Sequence, residues 1–328
     1  MTLLDRRRLL QYGAAVGGAS LSNGLWGFNA QAAGFPSKAF SAYVAAKPGG
    51  GHDRFSRAIA PEFQRTTGQP MKLIFTPGAG GVLAATKILN APPDGHTLGV
   101  IAISSMNVSI QFGKPDNFSF GAFAYLGTMW SGPLAIFTGK NSKWKSIEQV
   151  VEASKTQKIT AAVAGMRQMY HVGGLIFNKA VGGNIQFVPY GGGSPSRKAA
   201  AAEEADIVWT GLFDANAQYS VLRCLCIFAD KNPIPDIINA PTMHDVYPKQ
   251  AVDLEHPTGY VTSAEVARKN PENYKFLVDK YREAHTSQVT RAALKKGGWP
   301  TKAIKYWSPE QIMEWEAGFR KDMAKISL

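Results

Sequence analysis

Two glycine-rich segments carry the first chemical signal in this sequence: Lys47-Pro48-Gly49-Gly50-Gly51-His52-Asp53 and Pro77-Gly78-Ala79-Gly80-Gly81-Val82. Each follows a short apolar run and precedes a helix-period pattern. At such a junction the free N–H groups of a helix's first turn, and the positive end of its dipole, hold an anion without any charged side chain. Glycine lets that anion come close to the backbone. Either segment alone can also be a plain strand-to-helix turn, with Asp53 as a helix N-cap. Two such turns at the same edge of one sheet favour the anion reading. Neither is a nucleotide motif: no Gly-x-x-x-x-Gly-Lys-Ser/Thr occurs, and Val82-Leu83 follow Gly80-Gly81, where Gly-x-Gly-x-x-Gly needs its third glycine.

A third candidate segment is Gly165-Met166-Arg167-Gln168-Met169-Tyr170. Arg167, beside Gln168 at a helix start, can clamp a carboxylate through its planar guanidinium. Otherwise it is an exposed arginine placed unfavourably against the helix dipole. Met166, Met169, Tyr170 and Trp130 either enlarge and grease a cleft, or fill the core, the safer reading for at least two of them. Asp214, just after a strand, faces the cleft or caps a turn. Catalytic signatures are thin. The six histidines, at 52, 96, 171, 244, 256 and 285, include no pair at zinc-helix spacing, and no Gly-x-Ser-x-Gly elbow occurs. No catalytic residue, metal site or cofactor is expected. Cys224 and Cys226 sit at i and i+2 of an apolar run, where a disulfide is strained, so buried free thiols are expected.

The elements that must position these residues alternate between strand and helix periods. Residues 39–46, 71–76 and 97–103 read as strands, with helices over 53–67 and 82–89 between them. Phe55, Ile59 and Phe63 mark the buried face of the first helix, and Gly68 ends it. A second unit repeats the rhythm, with strands at 134–138, 159–164, 185–190 and 206–210, another apolar run at 222–229, and helices at 168–181 and 195–204. Ser146 and Gln149 read as a capping box. The tail is helical, over 271–285, 287–296 and 309–326, and is expected to cover the first unit. Short strand–helix–strand connections mean parallel sheets. The expected class is α/β: residues 34–130 with 231–328 as one domain, residues 131–230 as the other, linked near 131–139 and 222–230 so that the cleft can close.

Residues 1–32 read as a signal peptide. Arg6-Arg7-Arg8, then Leu9-Leu10 and a mild glycine-rich stretch, look like a twin-arginine leader, although a general-route leader can also carry three arginines. Ala30-Gln31-Ala32 supplies the small residues before a cleavage point. The formal charge of +12 becomes about +10 once three Arg and one Asp of the leader are subtracted. The lysines and arginines are dispersed, so no nucleic-acid stripe is expected; long-range attraction of small anions, or plain solubility, fits better.

Four motifs in order carry a family resemblance: Lys47-Pro48-Gly49-Gly50-Gly51-His52-Asp53, Pro77-Gly78-Ala79-Gly80-Gly81, Pro93-Asp94-Gly95-His96-Thr97-Leu98 and Val188-Pro189-Tyr190-Gly191-Gly192. From about residue 40 onward the chain resembles the extracytoplasmic solute receptors of tripartite tricarboxylate transporters, the Bug family. The resemblance implies a two-domain periplasmic-binding-protein fold with two crossovers (type II) and a carboxylate in the cleft between the domains. It carries one carboxylate onto Gly50, Gly51, His52 and Asp53, and the second turn onto Gly78, Ala79, Gly80, Gly81 and Val82. Departures fall on the cleft: Ala46-Lys47 replace the aromatic position, His52 stands for the usual Thr, Arg167 and its neighbours replace a Gly/Ser-rich turn, and Gly191 stands where a basic residue is common. The family's ligands therefore do not transfer. The expectation is a soluble, periplasmic, monomeric receptor, not an enzyme, that hands a small organic carboxylate to membrane transporter subunits. Two rivals are a sensor that serves a signalling partner and an α/β enzyme acting on an anionic substrate.

Overall fold

The computed structural model describes residues 34–324, so the leader reading lies outside the described residues. Ten strands form two five-stranded sheets. In the first, β1 (Phe40–Val44), β2 (Met71–Phe75) and β3 (Thr97–Ala102) run parallel, joined by α1 (Gly51–Thr67) and α2 (Val82–Leu89). β4 (Phe123–Trp130) and β10 (Thr258–Ser263) complete it in the order β2-β1-β3-β10-β4, with β10 antiparallel to both neighbours. The second sheet holds β5 (Leu134–Gly139), β6 (Ile159–Val163), β7 (Ile185–Pro189), β8 (Ile207–Gly211) and β9 (Leu222–Ile227) in the order β7-β6-β8-β5-β9. Here β6, β7 and β8 are parallel and β5 is antiparallel to β8 and β9. The two sheets share one plan, and the fourth position in each is filled by a strand entering from the other.

The sequence reading missed β4 and β10. Thr258–Ser263 is buried at every position, so it lacks the alternation that marks a half-exposed strand. A Cβ on Gly259 would come within 2.5 Å of the Gly127 carbonyl, which explains a glycine inside this strand.

Helices cover the sheets: α3 (Ile103–Val108), α4 (Ile147–Ser154), α5 (Met169–Val181), α6 (Gly193–Ala201), the short α7 (Met243–Val246) and α8 (Ala264–Lys269), then α9 (Pro271–Thr286), α10 (Gln288–Lys296) and α11 (Pro309–Met323); α3, α7 and α8 are not among the helices the sequence predicts. Phe55, Ile59 and Phe63 of α1 are fully buried against Phe40, Leu277, Tyr281 and Trp299, so α9 and the 299 loop close the first lobe, as the tail reading requires. Met323, at the end of α11, joins the core of the second. Ser308 and Gln311 form a reciprocal capping box on α11. On α4, Ser146 accepts the Gln149 N–H, but the Gln149 side chain accepts from Lys145 instead, so the box there is incomplete. The cysteines are free, Cys226 buried and Cys224 partly so. Burial pushes the Cys226 thiol up to about 12.

The chain crosses between the sheets twice, at 131–133 and at 254–257. The crossings run side by side: Leu134 N–H donates to the Leu254 carbonyl at 2.8 Å and His256 N–H to the Gly132 carbonyl at 2.9 Å. The expected second link near 222–230 is corrected, because Leu222–Ile227 pairs along β5 as an edge strand and the return comes some 25 residues later.

Candidate functional site

Between the sheets lies a cavity of about 570 Å3, lined by the segments that follow the carboxyl ends of β1, β2, β3, β6, β7 and β8. Helix α1 starts at Gly51, two residues earlier than the periodicity predicts, with Gly50 as N-cap. The N–H groups of Gly51, His52 and Asp53 therefore belong to a first helical turn without intrahelical acceptors. Asp53 is not the N-cap. Its carboxylate turns back, accepting the Gly49 N–H at 2.7 Å and the Arg57 Nε–H at 2.5 Å, which fastens the turn. Trp130 and Trp299 pack behind it, and a Cβ on Gly51 would sit 3.4 Å from Trp130.

The second turn needs its glycines. Gly78, Ala79, Gly80 and Gly81 have φ of 130°, 45°, 67° and 98°, a left-handed run that side chains resist. α2 then begins at Val82, so this helix end also faces the cavity. Arg167 is likewise left-handed (φ 55°), as is common where function constrains a turn. The turns meet across the cleft: a Cβ on Gly80 would lie 3.6 Å from Gln168, and one on Gly191 would lie 3.8 Å from Lys47 Nζ. Met169 N–H reaches Ser105 Oγ at 3.4 Å.

The buried positive charge in the cavity comes from a residue the sequence reading missed. Arg197, on the first turns of α6, is 3% exposed and lines the cavity beside Lys198 and the Gly191-Gly192-Gly193 turn. Its Nε donates to Gln218 Oε1 at 2.9 Å and its Nη1 to Thr210 Oγ1 at 3.2 Å, fixing the guanidinium. The signal was available. Gly191-Gly192-Gly193 repeats the strand–glycine–helix pattern of the first turn, with a basic residue one helical turn on. The absence of a base at Gly191 drew attention away from it. Arg167, in contrast, is exposed and outside the cavity, because the left-handed turn aims it outward; only its N–H is held, by His171 Nδ1 at 3.2 Å. Arg167 therefore lies outside the cavity that Arg197 lines.

Asp214 enters the cavity from the turn after β8. Its Oδ2 accepts from Tyr170 Oη–H at 2.5 Å. Tyr170 Oη also meets His256 Nε2 at 2.9 Å, and Ser104 Oγ meets His256 Nδ1 at 2.6 Å. Since a carboxylate only accepts, the polarity follows: His256 Nε2–H donates to Tyr170, and Ser104 donates to Nδ1. The chain of hydrogen bonds joins α3 of the first lobe, the second crossing and the second lobe. Burial lowers the His256 pKa and keeps it neutral. Burial alone would raise Asp214, but the Arg197 guanidinium and the Tyr170 hydroxyl counter it, and the carboxyl lies below its ordinary value. Ser104 and His256 are fully buried and neither lines the cavity. His52 packs edge-on against Trp130, and burial lowers its pKa to about 4, so it lines the cavity as a neutral imidazole.

Of the residues singled out in the sequence, Gly50, Gly51, His52, Gly78, Ala79, Gly80, Gly81, Gln168 and Asp214 line the cavity. Asp53, Val82 and Arg167 do not. Met166 and Tyr170 line it, whereas Met169 and Trp130 are core. Among the described residues no cluster of His, Cys, Asp or Glu suits a metal, and no helix is long and apolar enough to cross a membrane. A second hollow of about 620 Å3 lies against β9, lined by Lys140, Lys145, Arg223, Glu148 and Asp245, but no glycine turn opens into it.

The cavity and its turns can be set against known proteins. Residues 55–298 match the model of the tripartite tricarboxylate transporter family receptor. A UPF0065 protein of Bordetella pertussis is 26% identical over 186 residues, 56% of this chain and 58% of that protein. The matched part spans about half to two thirds of the length of such curated relatives. Among solved structures, MatC of Rhodopseudomonas palustris with bound malate superposes with a TM-score of 0.76 at 20% identity, covering 88% of this chain and 98% of that one. R. palustris Rpa4515 with adipate gives 0.75 at 16% identity, covering 89% and 96%. The two-sheet, two-crossover architecture is thus the periplasmic-binding-protein fold, and this chain belongs to the tripartite tricarboxylate transporter receptor family.

Proposed function

We propose that this protein is an exported, solute-binding receptor that encloses a small organic carboxylate between its lobes and delivers it to a membrane transporter, without catalysing a reaction. One observation carries the reading: the starts of α1, α2 and α6 open onto a single cavity whose charged lining is Lys47, Arg197 and Lys198 against Asp214 alone. Three cations less one anion leave a net positive lining. Helix N-termini add unsatisfied N–H donors. A carboxylate held at Gly51, His52 and Asp53 N–H from one lobe, with Arg197 from the other, would bridge the cleft and favour its closed state. The malate and adipate bound by MatC and Rpa4515 support the ligand class. The receptor is read as a monomer that opens and closes about residues 131–133 and 254–257.

A thermal-shift screen of the exported protein against aliphatic and aromatic mono-, di- and tricarboxylates tests the reading. A ligand at 100 times its Kd adds about 2.7 kcal/mol and raises Tm visibly. No shift with any carboxylate, against a shift with neutral sugars or amines, would refute it.

A further inference from the structure

Two buried polar atoms on cavity-lining residues, one in each lobe, have no hydrogen-bond partner: His52 Nε2 and Asp214 Oδ1. Nearly all buried polar atoms in folded proteins are paired, because an unpaired one forfeits its hydration. Asp214 is 7% exposed, and its other oxygen is already committed to Tyr170. A carboxylate ligand cannot satisfy an Asp214 oxygen, since both are acceptors and both are negative. A group that donates is required. Neutral His52, by contrast, can donate to a ligand oxygen.

We infer that the solute carries a hydroxyl or ammonium on the carbon next to a carboxylate, and that Asp214 is the residue that selects for it. This rests on the carboxylate-receptor reading above. One ligand edge then serves both orphans: the carboxylate accepts from His52, and the adjacent O–H or N–H donates to Asp214 Oδ1. Arg197 lies close enough to Asp214 to depress its pKa, so the aspartate stays an acceptor while the cavity keeps its net positive charge. A plain carboxylate leaves Asp214 unpaired and repelled. A site built to bond a donor rejects the analogue that lacks it far more strongly than a greasy pocket rejects a missing methylene.

Calorimetry with matched triplets tests this, using protein unfolded and refolded to remove any co-purified solute. The triplets are lactate, alanine and propionate; malate, aspartate and succinate; and mandelate, phenylglycine and phenylacetate. In whichever triplet binds, the hydroxy or amino member should bind at least about tenfold tighter than the plain acid, and which of the two wins identifies the donor. Asp214→Asn should shrink that advantage by about tenfold or more, in part because the plain acid no longer faces a buried negative charge and binds more tightly. Should the variant misfold, the wild-type triplets still decide. Equal affinity for the plain acid overturns the inference and leaves the carboxylate reading standing. Failure of every acid to bind overturns both.

Discussion

Arg54 of the first lobe donates through Nη2 to Oδ1 of Asn216 in the second at 2.6 Å. Asn216 in turn donates to the Gly298 carbonyl at 3.4 Å, and the Arg54 guanidinium lies 6.0 Å from the Trp299 ring centroid. Apart from the crossings themselves, this pair is one of the few polar side-chain contacts that span the cleft. The pair ties the two lobes together across the cleft, so Asn216→Ala should shift the ligand-free protein towards a more open arrangement. Small-angle scattering should show a larger radius of gyration, and affinity for the cognate solute should fall by about tenfold, the lower end of what one charged hydrogen bond contributes. An unchanged scattering curve would show that the pair does not govern closure.

Acid should destabilise the fold over a defined window. Burial lowers His52 and His285 to about 4 and lowers His256 too. An unfolded histidine takes up a proton near pH 6.5, whereas these remain neutral in the fold until lower pH. Their contribution is complete above pH 6.5 and is lost as pH falls from there towards 4. Thermal melts from pH 7.5 to 4.5 should show Tm falling below 6.5. A flat profile would mean that the buried histidines accept protons without cost.

The second turn should not tolerate a side chain at Gly80. A Cβ there would sit 2.8 Å from Ser109 Oγ, and its φ of 67° is left-handed. Gly80→Ala should cost about 1–2 kcal/mol and weaken solute binding, because the turn lines the cavity. Gly51→Ala meets only ordinary contacts at 3.4–3.7 Å and should fold normally. Denaturant titration of both variants distinguishes strain from simple bulk.

Export is testable apart from binding. Replacing Arg6-Arg7 with Lys-Lys should leave unprocessed protein in the cytoplasm if the leader uses the twin-arginine route. N-terminal sequencing of the mature protein should begin at Ala33. Normal export of the Lys-Lys protein would assign it to the general route.

Turn chemistry and parallel strands were legible in the sequence because they rest on local rules: strand, glycines, then a helix with an apolar face. Helix α2 falls at its predicted residues, and nine of the twelve singled-out residues line the cavity. β10 was not legible, since a strand buried on both faces has no period and its partners lie more than 100 residues away. The second crossing was displaced for the same reason: β9 looks like any apolar run until its pairing with β5 is known. Arg167 and Arg197 are each basic residues near a helix start. What separates them is the sign of φ at Arg167 and the burial of Arg197, both set by tertiary structure.

The central claim is that a carboxylate is held between the α1 turn and Arg197, and calorimetry on arginine variants tests it most directly. Arg197→Ala should lower affinity for the cognate carboxylate by roughly ten- to a hundredfold, corresponding to about 1.5–3 kcal/mol for a charged hydrogen-bond partner. Arg197→Lys should recover only part, since an ammonium cannot reproduce the planar fork. Arg167→Ala should bind like wild type, with all three folded by circular dichroism. Wild-type affinity in Arg197→Ala, or its loss in Arg167→Ala, would contradict the account.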